Sequence, residues 1–304
     1  MKKSISAMHS QSSIYLDLCQ QLTQQHGQLL FMPAKLAQQA LLKEIYLSPK
    51  PGLVDQCNSG SHRDMDLQTF LRSILAISPF FDHFYRYGLE QAEVSPEFFL
   101  QALRVIGLDC EKAMFDATQG INTHKGAIFA FGLILAALGR LQAQRRTDHA
   151  EAICDEVASI CQDLIERELI PCQGNSAGER LYRLFQFTGA RGEAQSGYQL
   201  VRQTALPTYL QSLKQGFDEE TALLQAMLHL LAVNNDTNVI ARGGLAGLEF
   251  VQQQAVYLLT QGGALVAEGR HRLSKFDRQL IEKNLSPGGT ADLIAVTWFL
   301  SHYR

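Results

Sequence analysis

Along most of the chain, apolar residues recur every three or four positions, the spacing that lays one face of an α-helix against a core. Ile14, Leu16, Leu18, Leu22, Leu29 and Leu30 mark a first helix over about Ser13–Phe31, and Pro33 ends or restarts that pattern. Ala34–Leu47 reads as a second helix. The pattern resumes at Leu67, Phe70, Leu71, Ile74, Leu75 and Ile77 behind Asp66, a good cap, and Pro79 is expected to kink or end it. Ser95-Pro96-Glu97 offers a cap, a first-turn proline and a first-turn acid to a helix through Phe99, Leu103, Ile106 and Met114. Further helices are predicted over Gly126–Gly139, Asp148–Leu169 (closed by Pro171 and Gly174), Tyr198–Leu213, Asp218–Val233, Leu245–Gln261 and Leu265–Glu282, with a last one ending in Trp298 and Phe299. No strand-like alternation, hairpin turn or fixed-period repeat is visible. The pattern predicts an all-α fold with a single multi-helix domain over residues 34–304, preceded by a helical extension over 1–33.

Five polar stretches interrupt the helices. The longest, Pro49–Asp66, packs two prolines, two glycines, three acids, a lysine, an arginine, an asparagine and a histidine into eighteen positions. Loops of that length inside a compact helical domain are uncommon and usually functional. The others are Gln119–Lys125, Thr188–Gly197, Asn234–Gly244 and the N-L-S-P-G-G-T-A-D segment ending at Asp292. Ordinary connectors need Asn, Asp and Gly, whereas these also repeat Lys, Arg, His and carboxylates beside glycines. They are expected to meet at one end of the helical bundle as an active site.

The chemistry of the stretches points to anions. Lys50, Lys125, Arg191 and Arg242 each lie near glycine, and a phosphate cradle needs a cation and a closely approaching backbone. No G-x-x-x-x-G-K-[ST] is present, so this is not a P-loop. Lys125-Gly126 opens a helix whose free N–H groups can receive a phosphate. His62 and His124 have polar neighbours and suit substrate hydrogen bonds, whereas His229 lies in an apolar run as a core histidine. Asp64 and Asp66 could share a divalent ion; Asp66 reads equally well as a helix cap. Asp236 in N-D-T-N divides in the same way between cation ligand and cap. Glu193 and Asp292 complete the acidic set.

Composition narrows the picture. With 27 basic and 30 acidic residues the net charge is −3, so no basic field recruits nucleic acid. The N-terminal M-K-K lacks the apolar core of a signal peptide. The longest apolar run, Gly126–Gly139, is fourteen residues, short of the roughly 20 that span a bilayer. Six cysteines without a C-x-x-C pair suit reduced thiols. A soluble, cytoplasmic protein without membrane partners is expected.

Taken together, L-S-P-K-P-G-L-V-D-Q-C-N-S-G-S-H-R-D-M-D, G-I-N-T-H-K-G-A-I-F-A, A-R-G-E-A-Q-S-G, N-D-T-N-V-I-A-R-G-G and S-P-G-G-T-A-D-L-I-A resemble the triphosphoribosyl-dephospho-CoA synthase family from about Ala40 to the C-terminus. The resemblance implies an all-helical enzyme that joins ATP and 3′-dephospho-CoA, releasing adenine. The product would be a precursor of the prosthetic group of citrate lyase or malonate decarboxylase, passed to a separate acyl-carrier-protein transferase. It implies Mg²⁺ as cofactor, with Asp64, Asp66 and Asp236 as its ligands. Asp55, His62, Asp64 and Glu193 become candidates for the reacting centre, and Lys50, Gly52, Asn58, Arg63, Asn122, His124, Lys125, Arg191, Arg242 and Gly243 for the substrates. No Ser, Cys or carboxylate in these stretches is flanked as an activated nucleophile, which favours one inverting displacement. Two rivals are a magnesium-dependent helical ADP-ribosyl or nucleotide hydrolase, which N-D-T-N faintly suggests, and a non-catalytic nucleotide sensor.

Overall fold

In the computed structural model, which describes residues 31–171 and 177–304, the first half folds as α1 (Met32–Tyr46), α2 (Leu67–Glu90), α3 (Pro96–Ala117), α4 (Lys125–Ala143) and α5 (Ala150–Ile160). Short helices α6 (Leu164–Glu168), α7 (Ala177–Phe185) and α8 (Gly189–Gln195) lead to α9 (Leu206–Lys214), α10 (Glu219–Val233), α11 (Thr237–Thr260), α12 (Gly269–Glu282) and α13 (Gly288–Leu300). The described residues hold no strand, as the periodicity predicts. The first predicted helix, the bulk of the 1–33 extension, Cys19, Cys172 and Gly174 lie outside the described residues.

Helix α4 sits at the centre because its sequence is apolar on every side. It packs against α1, α2, α3, α5, α8 and α13, with Phe131 set between Phe81 of α2 and Phe299 of α13 at centroid distances of 5.8 and 5.6 Å. Two glycines set the closeness of α2 and α4. A Cβ on Gly88 would lie 2.1 Å from the Ala136 carbonyl oxygen, and one on Gly139 would lie 2.2 Å from that of Tyr85. A methyl at either point would force the helices apart. By length and composition α4 is long and apolar enough to cross a membrane, longer than its fourteen-residue run suggests, and most of it is buried within the fold. Helix α13, which touches α1, α4, α9, α10 and α11, joins the two halves.

Several boundaries differ from the expectation for local reasons. Helix α2 runs straight through Pro79 to Glu90, and the Ser78 hydroxyl donates to the Ile74 carbonyl in the same turn (2.6 Å). The span 148–169 divides into α5 and α6 at Asp163, whose φ of 58° is left-handed. A π turn at Val201–Ala205 precedes α9; Pro207 has no N–H for the carbonyl four residues back, so the hydrogen-bond ladder widens there. Helix α12 starts at Gly269, after a 3₁₀ turn, and α11 starts early at Thr237 with a break at Gly244 (φ 63°).

Candidate active site

The expected long loop is ordered by one buried acid. Asp55 Oδ2 accepts from the Ser48 hydroxyl (2.7 Å) and the Lys50 amide (3.1 Å), and its Oδ1 accepts from the amides of Cys57 (2.7 Å) and Asn58 (3.0 Å). The loop is then tied to α12 and the segment behind it. Asp277 accepts from the Gly52 amide (2.8 Å) and the Asn58 side chain (2.9 Å), and the Ser61 hydroxyl donates to the Leu285 carbonyl (2.6 Å). Gly52 has φ 73°, and a Cβ there would lie 2.3 Å from the Leu285 oxygen. Glycine is required at that contact.

The polar stretches close around a cavity of about 330 Å³. The N-terminal turns of α4, α11 and α13 all line it, through residues 124–126, 236–238 and 288–289. Each helix start presents the positive end of a dipole to the cavity, which favours an anion or an acceptor there. Asp236 holds two of these starts together. Its Oδ1 caps α11 at the Asn238 amide (3.0 Å), and its Oδ2 accepts from the Thr290 amide and hydroxyl of α13 (2.8 and 3.0 Å).

Three carboxyl groups on the cavity wall, Asp292, Glu193 and Asp236, are held above their ordinary ionisation, each chiefly by burial. Burial pushes Asp292 well above the usual carboxylate range, with the carboxylates of Glu44 and Asp236 adding to the effect. Burial raises Glu193 to about 7, opposed by the Leu200 amide that donates to it. Lys50 is buried and ion-paired with Glu44. His124 is buried too, and burial with the nearby Lys50 charge lowers its pKa to about 3, so its ring is neutral. The Thr123 hydroxyl donates to Ser73 Oγ, and Ser73 donates to His124 Nδ1, each at 2.7 Å. That chain places the ring proton on Nε2, which is buried without a hydrogen-bond partner. A buried unpaired donor on a cavity wall is suited to a substrate oxygen or nitrogen.

His62 has a different setting. The Arg242 guanidinium donates to its Nδ1 (3.1 Å), so Nε2 carries the proton and donates to Ser286 Oγ (2.8 Å). Burial, then Arg242, lowers its pKa. Asp64 is 3.8 Å from Nδ1, beyond hydrogen-bond reach. The Ser286–His62–Asp64 line therefore is not a nucleophilic triad, and neither His62 nitrogen is free to take a proton.

Of the residues singled out in the sequence, Lys50, His62, Asn122, His124, Lys125, Glu193, Asp236 and Arg242 line the cavity. Gly52, Asp55 and Asn58 shape the loop behind it. Arg63 and Asp64 are exposed. Gly243 packs on Leu285, where a Cβ would lie 2.4 Å from a methyl carbon. Arg191 faces a second cavity and pairs with Glu168 at 2.8 Å. Asp66 caps α2 in a reciprocal box with Thr69, whose amide and hydroxyl hold its pKa below the usual range. The expected metal set of Asp64, Asp66 and Asp236 is thus dispersed: one is exposed, one caps α2, and one has its oxygens taken up by α11 and α13. Among the described residues no three His, Cys, Asp or Glu side chains are grouped to hold a metal ion. The wall also includes Glu44, Tyr198 and Ser286, which the sequence reading did not select. A charged residue within the apolar L-L-K-E-I-Y run was the available signal for Glu44.

Fold and site together define an all-helical enzyme that can hold a polyanion against helix starts and cations, beside buried carboxylic acids. The family model described as ATP:dephospho-CoA triphosphoribosyl transferase matches residues 31–304. The chain is 49% identical over 273 residues to the 2-(5″-triphosphoribosyl)-3′-dephosphocoenzyme-A synthase of Escherichia fergusonii, covering 89% of this chain and 90% of that protein. It is 52% identical over 265 residues to the same-named protein of Pectobacterium atrosepticum (87% and 86% covered) and 48% over 268 residues to that of Klebsiella pneumoniae (88% and 89%). No solved structure matches. The chain belongs to the ATP:dephospho-CoA triphosphoribosyl transferase family.

Proposed function

We propose that this protein transfers the 5-triphosphoribosyl group of ATP to the 2′-hydroxyl of 3′-dephospho-CoA and releases adenine. The observation that carries the reading is the one cavity in which three helix starts and three cations, Lys50, Lys125 and Arg242, face two buried carboxyl groups of unequal proton affinity, Asp292 and Glu193. The triphosphate belongs against the helix starts and cations. Asp292, protonated, gives its proton to the departing adenine as the C1′–N9 bond breaks. Glu193, ionised, takes the proton of the attacking 2′-hydroxyl as the new C1′–O bond forms. Two carboxyl groups of differing proton affinity are the usual basis for dividing acid and base roles. Once Asp292 has given up its proton, it and Glu44 add negative potential where an oxocarbenium-like carbon would form. His124 Nε2–H donates to a substrate oxygen or ring nitrogen. Magnesium belongs to this reading as the ion that ATP carries in, since among the described residues the acids do not form a set for it. The product would feed the acyl carrier protein of citrate lyase or malonate decarboxylase through a separate transferase, in the cytoplasm.

Incubation with ATP and 3′-dephospho-CoA tests the reading. Adenine release is expected only with both present, with an α linkage in the NMR spectrum of the product. Adenine released without an acceptor would instead identify a hydrolase, and a β linkage would exclude direct displacement.

Glu193 gives the reaction a pH dependence of known sign. As the base it must be ionised, so kcat/KM is expected to fall as pH drops through about 7. Glu193→Gln should lower kcat/KM and remove this inflection. Stability runs the other way. The folded protein holds this proton to about pH 7, whereas an unfolded glutamate releases it near 4.5. The contribution to stability is present below 4.5 and is lost as pH rises through 7. Urea titrations across that range should show a decline that Glu193→Gln flattens; an unchanged slope would assign the group elsewhere.

A further inference from the structure

A second cavity, of about 390 Å³, adjoins the first. Lys125, Gly126, Phe129 and Ala190 belong to the walls of both, so the two meet at the start of α4. Their chemistry differs. Phe84, Leu100, Leu103, Leu108, Ile128 and Leu133 give the second an apolar lining drawn from α2, α3 and α4. Its charged residues are paired among themselves: Arg104 and Arg191 both bind Glu168, and Lys125 binds Glu111 at 2.8 Å. Leu108 remains 58% exposed on this wall, an apolar side chain with much of its surface uncovered. Gly107, inside α3, also lines the cavity, and a Cβ there would meet no atom within 4 Å. A glycine within a helix is less favourable than alanine, and no packing neighbour requires this one. Its missing side chain leaves the cavity open.

We propose that this second cavity holds the pantetheine arm of 3′-dephospho-CoA; the inference rests on the transferase reading of the first. The acceptor is an ADP unit extended through its diphosphate by a long uncharged chain bearing methyl groups. Its 2′-hydroxyl must lie beside Glu193 in the first cavity, so the diphosphate falls near the shared wall and the arm passes beyond it. Lys125 stands at that wall. ATP has no apolar arm, so an apolar trough joined to the reaction chamber suits the acceptor alone.

The test fills the trough. Gly107→Phe is expected to raise KM for 3′-dephospho-CoA by about tenfold, while KM for ATP stays unchanged. With the wild-type protein, 4′-phosphopantetheine is expected to displace 3′-dephospho-CoA in calorimetric titrations, and ATP is expected not to displace it. A folded Gly107→Phe protein with unchanged KM for the acceptor overturns the proposal, as does 4′-phosphopantetheine that fails to compete or that competes with ATP. The calorimetry uses the wild-type protein, so it reads the arm site even if Gly107→Phe fails to fold. Failure of the transferase reading is seen separately, as absent adenine release by the wild type.

Discussion

Asp292→Asn is expected to lower kcat by about 10²–10⁴-fold, the range for losing a positioned acid or base, with little change in either KM. The structure favours the neutral, protonated carboxyl at this position, because burial and the neighbouring Glu44 and Asp236 carboxylates oppose its ionisation. Asparagine is also neutral and nearly the same size, so thermal stability should be almost unaltered. The variant thus separates proton donation from folding. Gly126→Ala supplies an independent check, since its Cβ would lie 2.0 Å from Asp292 Oδ2 and must displace that carboxyl. It should lower kcat in the same direction while leaving the acid in the sequence. Near wild-type turnover in Asp292→Asn would remove Asp292 from the reaction.

Lys50→Met should destabilise the protein strongly, an effect to be measured before its kinetics are read. Lys50 is 2% exposed and its partner Glu44 5%. Removing one member of a buried pair leaves the other charge without compensation and costs about 3–5 kcal/mol, a large share of the roughly 5–15 kcal/mol that stabilises a typical domain. Urea denaturation should show the midpoint fall sharply. Adding Glu44→Gln to Lys50→Met removes the stranded charge and should restore much of the loss, because a neutral pair of similar volume carries no desolvation penalty. Activity should not return with stability, because both side chains face the cavity where ATP is proposed to bind. A double variant that recovers stability and full kcat would limit the pair to a structural role.

The periodic apolar positions were enough to establish the helices, because burying one helical face requires only a repeat that neighbours along the chain already carry. They also revealed which stretches could not be buried, and five of the histidines and cations chosen there, His62, His124, Lys50, Lys125 and Arg242, do line the cavity. The helix starts at Ser95-Pro96 and Asp66 were legible for the same local reason. What a residue does inside the site was not legible, because that depends on which atoms its oxygens and nitrogens meet across the fold. Asp55 looks like a reactive acid in the sequence and Asp236 like either a cation ligand or a cap, yet amides and hydroxyls from the loop and from two helix starts take up their oxygens. Arg191 carries the same local signature as Arg242, but it lies at the second cavity, where it pairs with Glu168. Asp292 gained its high proton affinity first from burial and then from Glu44, 248 residues away in the chain. Sequence alone determined the helical class and the polar segments. Tertiary contacts decided which acids remain free to react, because proton affinity is set by burial and by neighbouring charges that only folding brings together.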